Sequence, residues 1–394
     1  MKSHFYLFLI FIILDSCLFI GVNGDTQGIA FKITKIASGS DGVDDIRLSK
    51  DIIAWKVSKL NEGNLTPYTG IYYYDLRTNS TYNLSFRWHW FANVHLWSDV
   101  IVWEEWVSAY YTDYTPRVVV YNTTTKTKEV IVHIGVDDIF KDNIVFAMHN
   151  KTTGYDIYLY NLTTGEEVPI CTDPGDQQGP KIWGDYVVWH STINGTDYWE
   201  YYNLRTGERR KMPKINEHKY MGASDIYGDR VVGTYWISSK RLWYLYLYDI
   251  GDDKLVNLSR HLNLVGYEDY YQSHIYKDIV VWVVRDPRGH KHLHLYNISR
   301  DQSYEINLTE IEEEMDLYSI RVRDIWENRL LLKATDKSKP YPYPVDLLLL
   351  EFQEPPPPPE KKPQADVTLP VTAIAIMVIV GLAFLYNGLR RGQS

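Results

Sequence analysis

Two cysteines in 394 residues are too few for a disulfide framework. Cys17 lies in an apolar N-terminal segment, which leaves Cys171 alone in the body. Stability in an oxidising compartment must therefore come from packing. Surplus positive charge is also missing. Lys and Arg number 41 against 50 Asp and Glu, a formal net charge of −9, and no basic stripe runs along the chain. A nucleic-acid partner is excluded on that ground. Motifs of catalysis are absent too: there is no G-x-S-x-G elbow, no H-E-x-x-H, no phosphate loop and no cysteine metal set. No cofactor and no metal are expected, and a catalytic role is not favoured.

What is present begins at the two ends. Residues 1–24, "MKSHFYLFLIFIILDSCLFIGVNG", carry one Lys, an apolar run and small residues near Gly24. They read as a secretory signal peptide. Asp15 interrupts the run and argues against a membrane span. At the other end, residues 369–389 hold no charge over a bilayer-crossing length, and Arg390 and Arg391 follow. That reads as a transmembrane helix with a cytoplasmic tail, 390–394, which puts the bulk of the chain outside the cell membrane in a type I orientation. Residues 353–368 include five consecutive prolines, a stiff extended linker.

Between the ends runs a repeat. "PKIWGDYVVWH" has the cadence of "DIYGDRVVG", "HIYKDIVVW" and "DIFKDNIVF". Aligned on the Asp or Asn of the turn, seven copies fall at Asp51, Asp99, Asp142, Asp185, Asp229, Asp278 and Asn328, spaced 43 to 50 residues apart. Each copy reads as four short strands with tight turns, the blade of a β-propeller. The expected fold is all-β: a seven-bladed β-propeller of four-stranded blades over 25–352. The seventh copy supplies only three strands before the prolines. An open ring would expose a strand edge, so residues 28–36, "GIAFKITKI", are expected to close the last blade. Aromatic residues recur two before and four after the turn Asp, and they are read as core packing between stacked blades.

The stretch "PKIWGDYVVWH…YYNLRTGE" is similar to the β-propeller repeat of archaeal cell-surface proteins and, more distantly, resembles the TolB-type repeat. The likeness spans about 44–352. It implies fold and location; propellers host many unrelated functions, so it implies little about activity.

Asn-X-Ser/Thr sequons occur at Asn64, Asn79, Asn83, Asn122, Asn150, Asn161, Asn194, Asn257, Asn297 and Asn307. For an exported chain they are glycosylation candidates. Against this, Asn also suits turns for its own sake.

Three groups of residues are candidate sites. Four positions before the turn Asp every copy carries an ionisable residue: Arg47, His95, Asp138, Lys181, Asp225, His274 and Asp324. The next residue is always aliphatic, so the two columns face opposite ways. The first strand of a blade lies nearest the axis, so the column is expected to line the central channel. Opposite charges on neighbouring blades would pair there, with Lys181 between Asp138 and Asp225; a ligand site is the alternative. The second group is "GHKHLHLY", with His290, His292 and His294 on one strand face and no further ligand evident, read as a solvated strand edge. The third is a set of long aromatic loops on one face of the ring, carrying Trp88, Trp90, Trp106, Tyr110, Tyr111, Tyr270 and Tyr271. Such residues stack on sugars or anchor a protein, or fold back over the core.

The sequence thus points to a membrane-anchored extracellular propeller that acts as a surface binding or envelope-scaffold module for a protein or glycan ligand, without catalysis. Two alternatives stay open: an extracellular hydrolase of glycans or peptides using channel carboxylates, and a ligand-capture subunit of a transporter.

Overall fold

The computed structural model describes residues 17–21, 30–39, 42–59, 68–87, 90–107, 115–213, 218–237, 242–261, 273–286, 288–336 and 345–353. They form seven antiparallel sheets, each a meander, and these are the seven blades the repeat predicts. Blade 1 runs through Gly42–Ser49, Ile52–Lys59, Tyr68–Asp75 and Ser80–Arg87. Blades 2 to 6 occupy 90–132, 138–171, 176–211, 218–257 and 274–307. Blade 7 takes three strands from 317–353 and its fourth from Ala30–Gly39, which pairs antiparallel with Val345–Gln353. Cys17–Gly21, inside the stretch read as a signal peptide, adds a fifth strand outside Ala30–Gly39. The linker, the C-terminal apolar segment and the tail lie outside the described residues. Among the described residues no helix is long and apolar enough to cross a membrane.

The second strand of each blade explains why the blades stack. In "YVVW" consecutive valines are both buried, but toward different neighbours. Val187 packs toward blade 3 with Ile157 and Ile182, and Val188 packs toward blade 5 with Ile226 and Val231. A strand covered on both faces reads as a continuous apolar run. The buried apolar residues accordingly divide into seven clusters, one at each blade-to-blade interface. The column four after the turn Asp lies in these interfaces, with Trp103, Phe146, Trp189 and Trp282 fully buried. Blade 5 has Gly233 there instead. Its cross-strand partner Tyr246, together with Trp199, fills that interface.

The seven tight turns share one backbone geometry. The residue before the turn Asp or Asn is Lys50, Ser98, Lys141, Gly184, Gly228, Lys277 or Glu327, and each has φ between 52° and 62°. Only two are glycine, although that region suits glycine best. The turn is therefore imposed by the hairpin twist as well as by local preference. In blades 1 to 6 the carbonyl of the next residue accepts from an N–H just after the third strand, as from Leu204 to Asp185 at 2.7 Å, and in blade 7 from Phe352 near that strand's end.

Candidate functional site

The first strand of every blade either breaks register just before the ionisable column or begins beside it. Shifts fall between Asp44 and Arg47, Ala92 and Val94, Gln178 and Lys181, Ala223 and Asp225, and Val322 and Asp324. In blades 3 and 6 the strand starts at Asp138 and His274. A bulge bends the strand and re-aims the next side chain. Arg47, Asp138, Lys181, Asp225, His274 and Asp324 all line an axial cavity of about 180 Å³. His95 lies behind that wall, 3% exposed. Sequence reading missed Arg323, which also reaches the cavity. The bulge at Val322 lets two consecutive residues turn inward, and no periodic pattern announces a bulge.

The aromatic column two before the turn packs as core, as expected: Phe140 and Tyr276 belong to blade-to-blade clusters, and Trp97, Trp183, Tyr227 and Trp326 pack against them. Its rings also converge on the axis. Trp97, Phe140, Trp183, Tyr227, Tyr276 and Trp326 form one cluster, with Trp183 centred 5.0 Å from Trp97, 4.2 Å from Tyr227 and 6.4 Å from Trp326. Blade 1 contributes Ser49, whose hydroxyl accepts from the Ser98 N–H at 2.8 Å. Across that small residue Trp97 and Trp326 meet at 5.7 Å. The aromatic layer lies between the charged layer and the tight turns. The cavity is thus a cup, with aromatics lining it toward the tight turns and charges ringing it on the side away from them.

The carboxylates of the ring do something the sequence did not indicate. Asp138 Oδ2 accepts from the Ile182 N–H of the next blade at 3.0 Å. Asp225 Oδ2 accepts likewise from Ile275 at 3.1 Å, and Asp324 Oδ2 from Leu48 at 2.8 Å. Asp225 and Asp324 also take their own following N–H on Oδ1. Three blade pairs, 3–4, 5–6 and 7–1, are stapled this way through the main chain. The expected Asp138–Lys181–Asp225 salt bridges do not form: among the described residues Lys181 has no ion pair, and neither has Arg47, which donates to the Ile46 carbonyl at 3.0 Å. The near contacts involve histidine instead, His95 to Asp138 at 3.9 Å and His274 to Asp225 at 3.6 Å.

Confinement sets the electrostatics. Burial raises the Asp138 carboxyl against the pull of Lys181, and it raises neighbouring Asp137 as well. Burial also raises Asp324 to about 6, outweighing His274, the Leu48 N–H and Arg47. His95 is held well below its usual value by burial and by the charges of Arg47 and Lys181. Asp138, Asp225 and Asp324 are fixed by backbone donors, and burial pushes Asp138 and Asp324 toward neutrality.

Of the loop-face aromatics, Trp88, Tyr110, Tyr111, Tyr270 and Tyr271 lie outside the described residues. The backbones of Trp90 and Trp106 are register partners on the first two strands of blade 2. Among the sequons, Asn64 is outside the described residues. Asn122, Asn161 and Asn297 each turn Oδ1 onto one or two N–H groups of the outer hairpin. Asn203, which is not a sequon, does the same. Asn297 is 4% exposed and leaves no room for a glycan in the folded chain.

The sequence matches no family model and no curated protein. Solved structures do match. The β-propeller domain of the Trilobed protease from Pyrococcus furiosus is 13% identical with a TM-score of 0.56, over 81% of this chain and 96% of that one. Acylaminoacyl peptidase from Pyrococcus horikoshii is 14% identical with a TM-score of 0.56, over 79% of this chain and 51% of that one. A prolyl endopeptidase is 8% identical with a TM-score of 0.52, over 82% and 53%. These likenesses show the β-propeller fold. The chain spans about half the length of the two peptidase chains. The Pyrococcus furiosus domain is described as an open velcro; here strand pairing closes the ring.

Proposed function

We propose that this protein is a non-catalytic binding propeller of the cell surface, and that its axial cup takes an anionic group of a protein or glycan ligand. The observation that carries this reading is the pairing inside the cup. Its carboxylates are engaged by backbone N–H groups, whereas Lys181 and Arg47 face the cavity without a carboxylate partner among the described residues. A cavity of about 180 Å³ has the volume of roughly six waters. That suits a carboxylate on a short stem, such as a peptide C-terminus or a uronic acid. The hydrolase alternative is weaker on the same ground. A general acid or nucleophile needs a free carboxyl oxygen aimed at substrate, and Asp225 and Asp324 have both oxygens held by N–H groups.

The surface placement rests on the sequence: signal-like residues 1–24, the Pro-rich linker, the uncharged stretch 369–389 with Arg390 and Arg391, and the resemblance to archaeal surface repeats. Cleavage near Gly24 would remove the Cys17–Gly21 strand and leave blade 7 with four strands. Glycosylation is proposed at the exposed Asn79, Asn83 and Asn194 before the turn-capping positions.

The test is binding by the full-length protein to arrays of uronic-acid and neutral oligosaccharides and to peptides with free or amidated C-termini. Acidic glycans or free C-termini should be preferred. Lys181→Ala and Arg47→Ala should each weaken capture about tenfold, the scale of one charge-assisted contact. Equal capture of neutral and anionic probes, or capture indifferent to both substitutions, would reject the cup as the site.

A further inference from the structure

The histidine-rich strand of blade 6 looks different once its turn is folded. His290, His292 and His294 share a face in sequence, but His294 is buried, its ring stacked on Trp282 at 5.4 Å. The other two meet a ligand that lies on the preceding strand's end, Asp286. One ligand atom from each of Asp286, His290 and His292 lies within 4.8 Å of the other two. Asp286 Oδ2 is 3.2 Å from His290 Nδ1 and 3.8 Å from His292 Nε2. Four ligands at tetrahedral zinc distances of about 2.1 Å stand about 3.4 Å apart, so the spacing is already close to that of a coordinated set.

The turn explains how Asp286 is presented. Its main chain closes the hairpin, with the Asp286 N–H donating to the His290 carbonyl at 2.8 Å. Its Oδ1 accepts from the N–H groups of Arg288 and His290 at 2.8 and 2.9 Å. One oxygen is therefore fixed by the turn, and the other points at the histidines. On the far side, Glu305 of the fourth strand brings Oε1 to 2.7 Å from His292 Nδ1, in a bent approach. Glu305 and Nδ1 form no hydrogen bond in this geometry, but an anion this close to Nδ1 favours the tautomer with the proton there, which leaves Nε2, 3.8 Å from Asp286 Oδ2, free to ligate.

We propose that Asp286 Oδ2, His290 Nδ1 and His292 Nε2 bind a divalent transition metal of the zinc class, with Glu305 as the positioning carboxylate. Two imidazoles and one carboxylate suit zinc and its late first-row neighbours, whereas calcium and magnesium take oxygen ligands. Three protein ligands leave a position for water or an incoming donor, and His290 is exposed on that side. The site lies at the joint between second and third strands, on the loop side of the ring, and does not depend on the axial reading.

Equilibrium dialysis of the untagged full-length protein against Zn²⁺ at pH 7.5, read by elemental analysis, should give one equivalent of metal. Co²⁺ in its place should give visible absorption of tetrahedral intensity. Asp286→Asn keeps the Oδ1 acceptor of the turn, and His292→Gln keeps the strand; each should weaken binding at least tenfold. The exposed His133→Gln should bind as the parent does. Metal-free melting curves of the variants matching the parent show that loss of binding is not loss of fold. Absence of a stoichiometric equivalent overturns the site, as does undiminished binding by both ligand variants.

Discussion

His95 shows what an odd number does to a ring of charges. Around the axis the column alternates between base and acid from His95 through Asp138, Lys181, Asp225, His274 and Asp324 to Arg47. Seven positions cannot alternate completely, so Arg47 and His95 are neighbours. The conflict is resolved by neutrality. His95 is buried, neither ring nitrogen has a hydrogen-bond partner, and its pKa is driven well below 6.5. Between the unfolded value and the lowered folded one, the unfolded chain binds more protons, so this residue's contribution is present above pH 6.5 and lost as the pH falls. Asp324 acts in the opposite sense. Its folded pKa of about 6 lies above 3.8, so its contribution is present at low pH and lost as the pH rises through about 6. His95→Phe should therefore flatten the acid side. Its urea midpoint should drop less than the parent's between pH 7 and pH 5. At pH 7 it should be at least as stable, since unsatisfied buried nitrogens carry a penalty of about 1 kcal/mol or more. Parallel pH profiles for the two proteins would remove His95 from the account. The column itself was legible, because one ionisable residue recurs in seven copies. Its bonding was not: Ile182, Ile275 and Leu48 offer N–H groups that no side-chain pattern records.

The strand is the unit that decides whether the ring closes. Residues 28–36 were legible as a strand without a blade, because the seventh copy came up one strand short; the strand observed is Ala30–Gly39. In the structure Phe31 and Ile33 are buried with Leu348, Leu350 and Phe352, and Lys35 Nζ reaches Asp346 Oδ2 at 2.6 Å. Ile33→Ala should cost about 2–5 kcal/mol, the range for a buried aliphatic cut back to Ala, measured by urea denaturation. Deleting 30–39 should bare the Val345–Gln353 edge and produce higher oligomers on size exclusion. A deletion variant that stays monomeric and equally stable would show that the edge needs no cover. The aromatic column was legible as core packing, and strand geometry supplies the part that was not. Positions two and four before the turn are two residues apart and share a face, so whatever places the charges on the axis places Trp97, Trp183 and Trp326 there too. Residue size argued for blade packing, and parity adds the approach to the axis.

At the scale of the molecule, the propeller itself was readable from a spacing of 43 to 50 residues. The zinc-class site was not, because it joins Asp286 to the histidines through a turn rather than a strand period. The type I orientation remains a proposal from the two apolar ends, and intact cells test it. Added protease should cut within 354–364 and release a soluble body. A body that survives while other outside proteins are digested would reverse the orientation. One consequence follows from the fourth strand of blade 7. Lys35 and its partner Asp346 are 311 residues apart in the chain. Synthesis delivers the N-terminal strand first and its neighbour last, so six blades can form before the latch has anything to grip. Contacts at such separation are slow to make, and unpaired edges stay exposed in the meantime. Ring closure is thereby a completeness check. A chain that stops short of residue 345 can fold most of its blades but not latch, and the free edge marks it for degradation or aggregation.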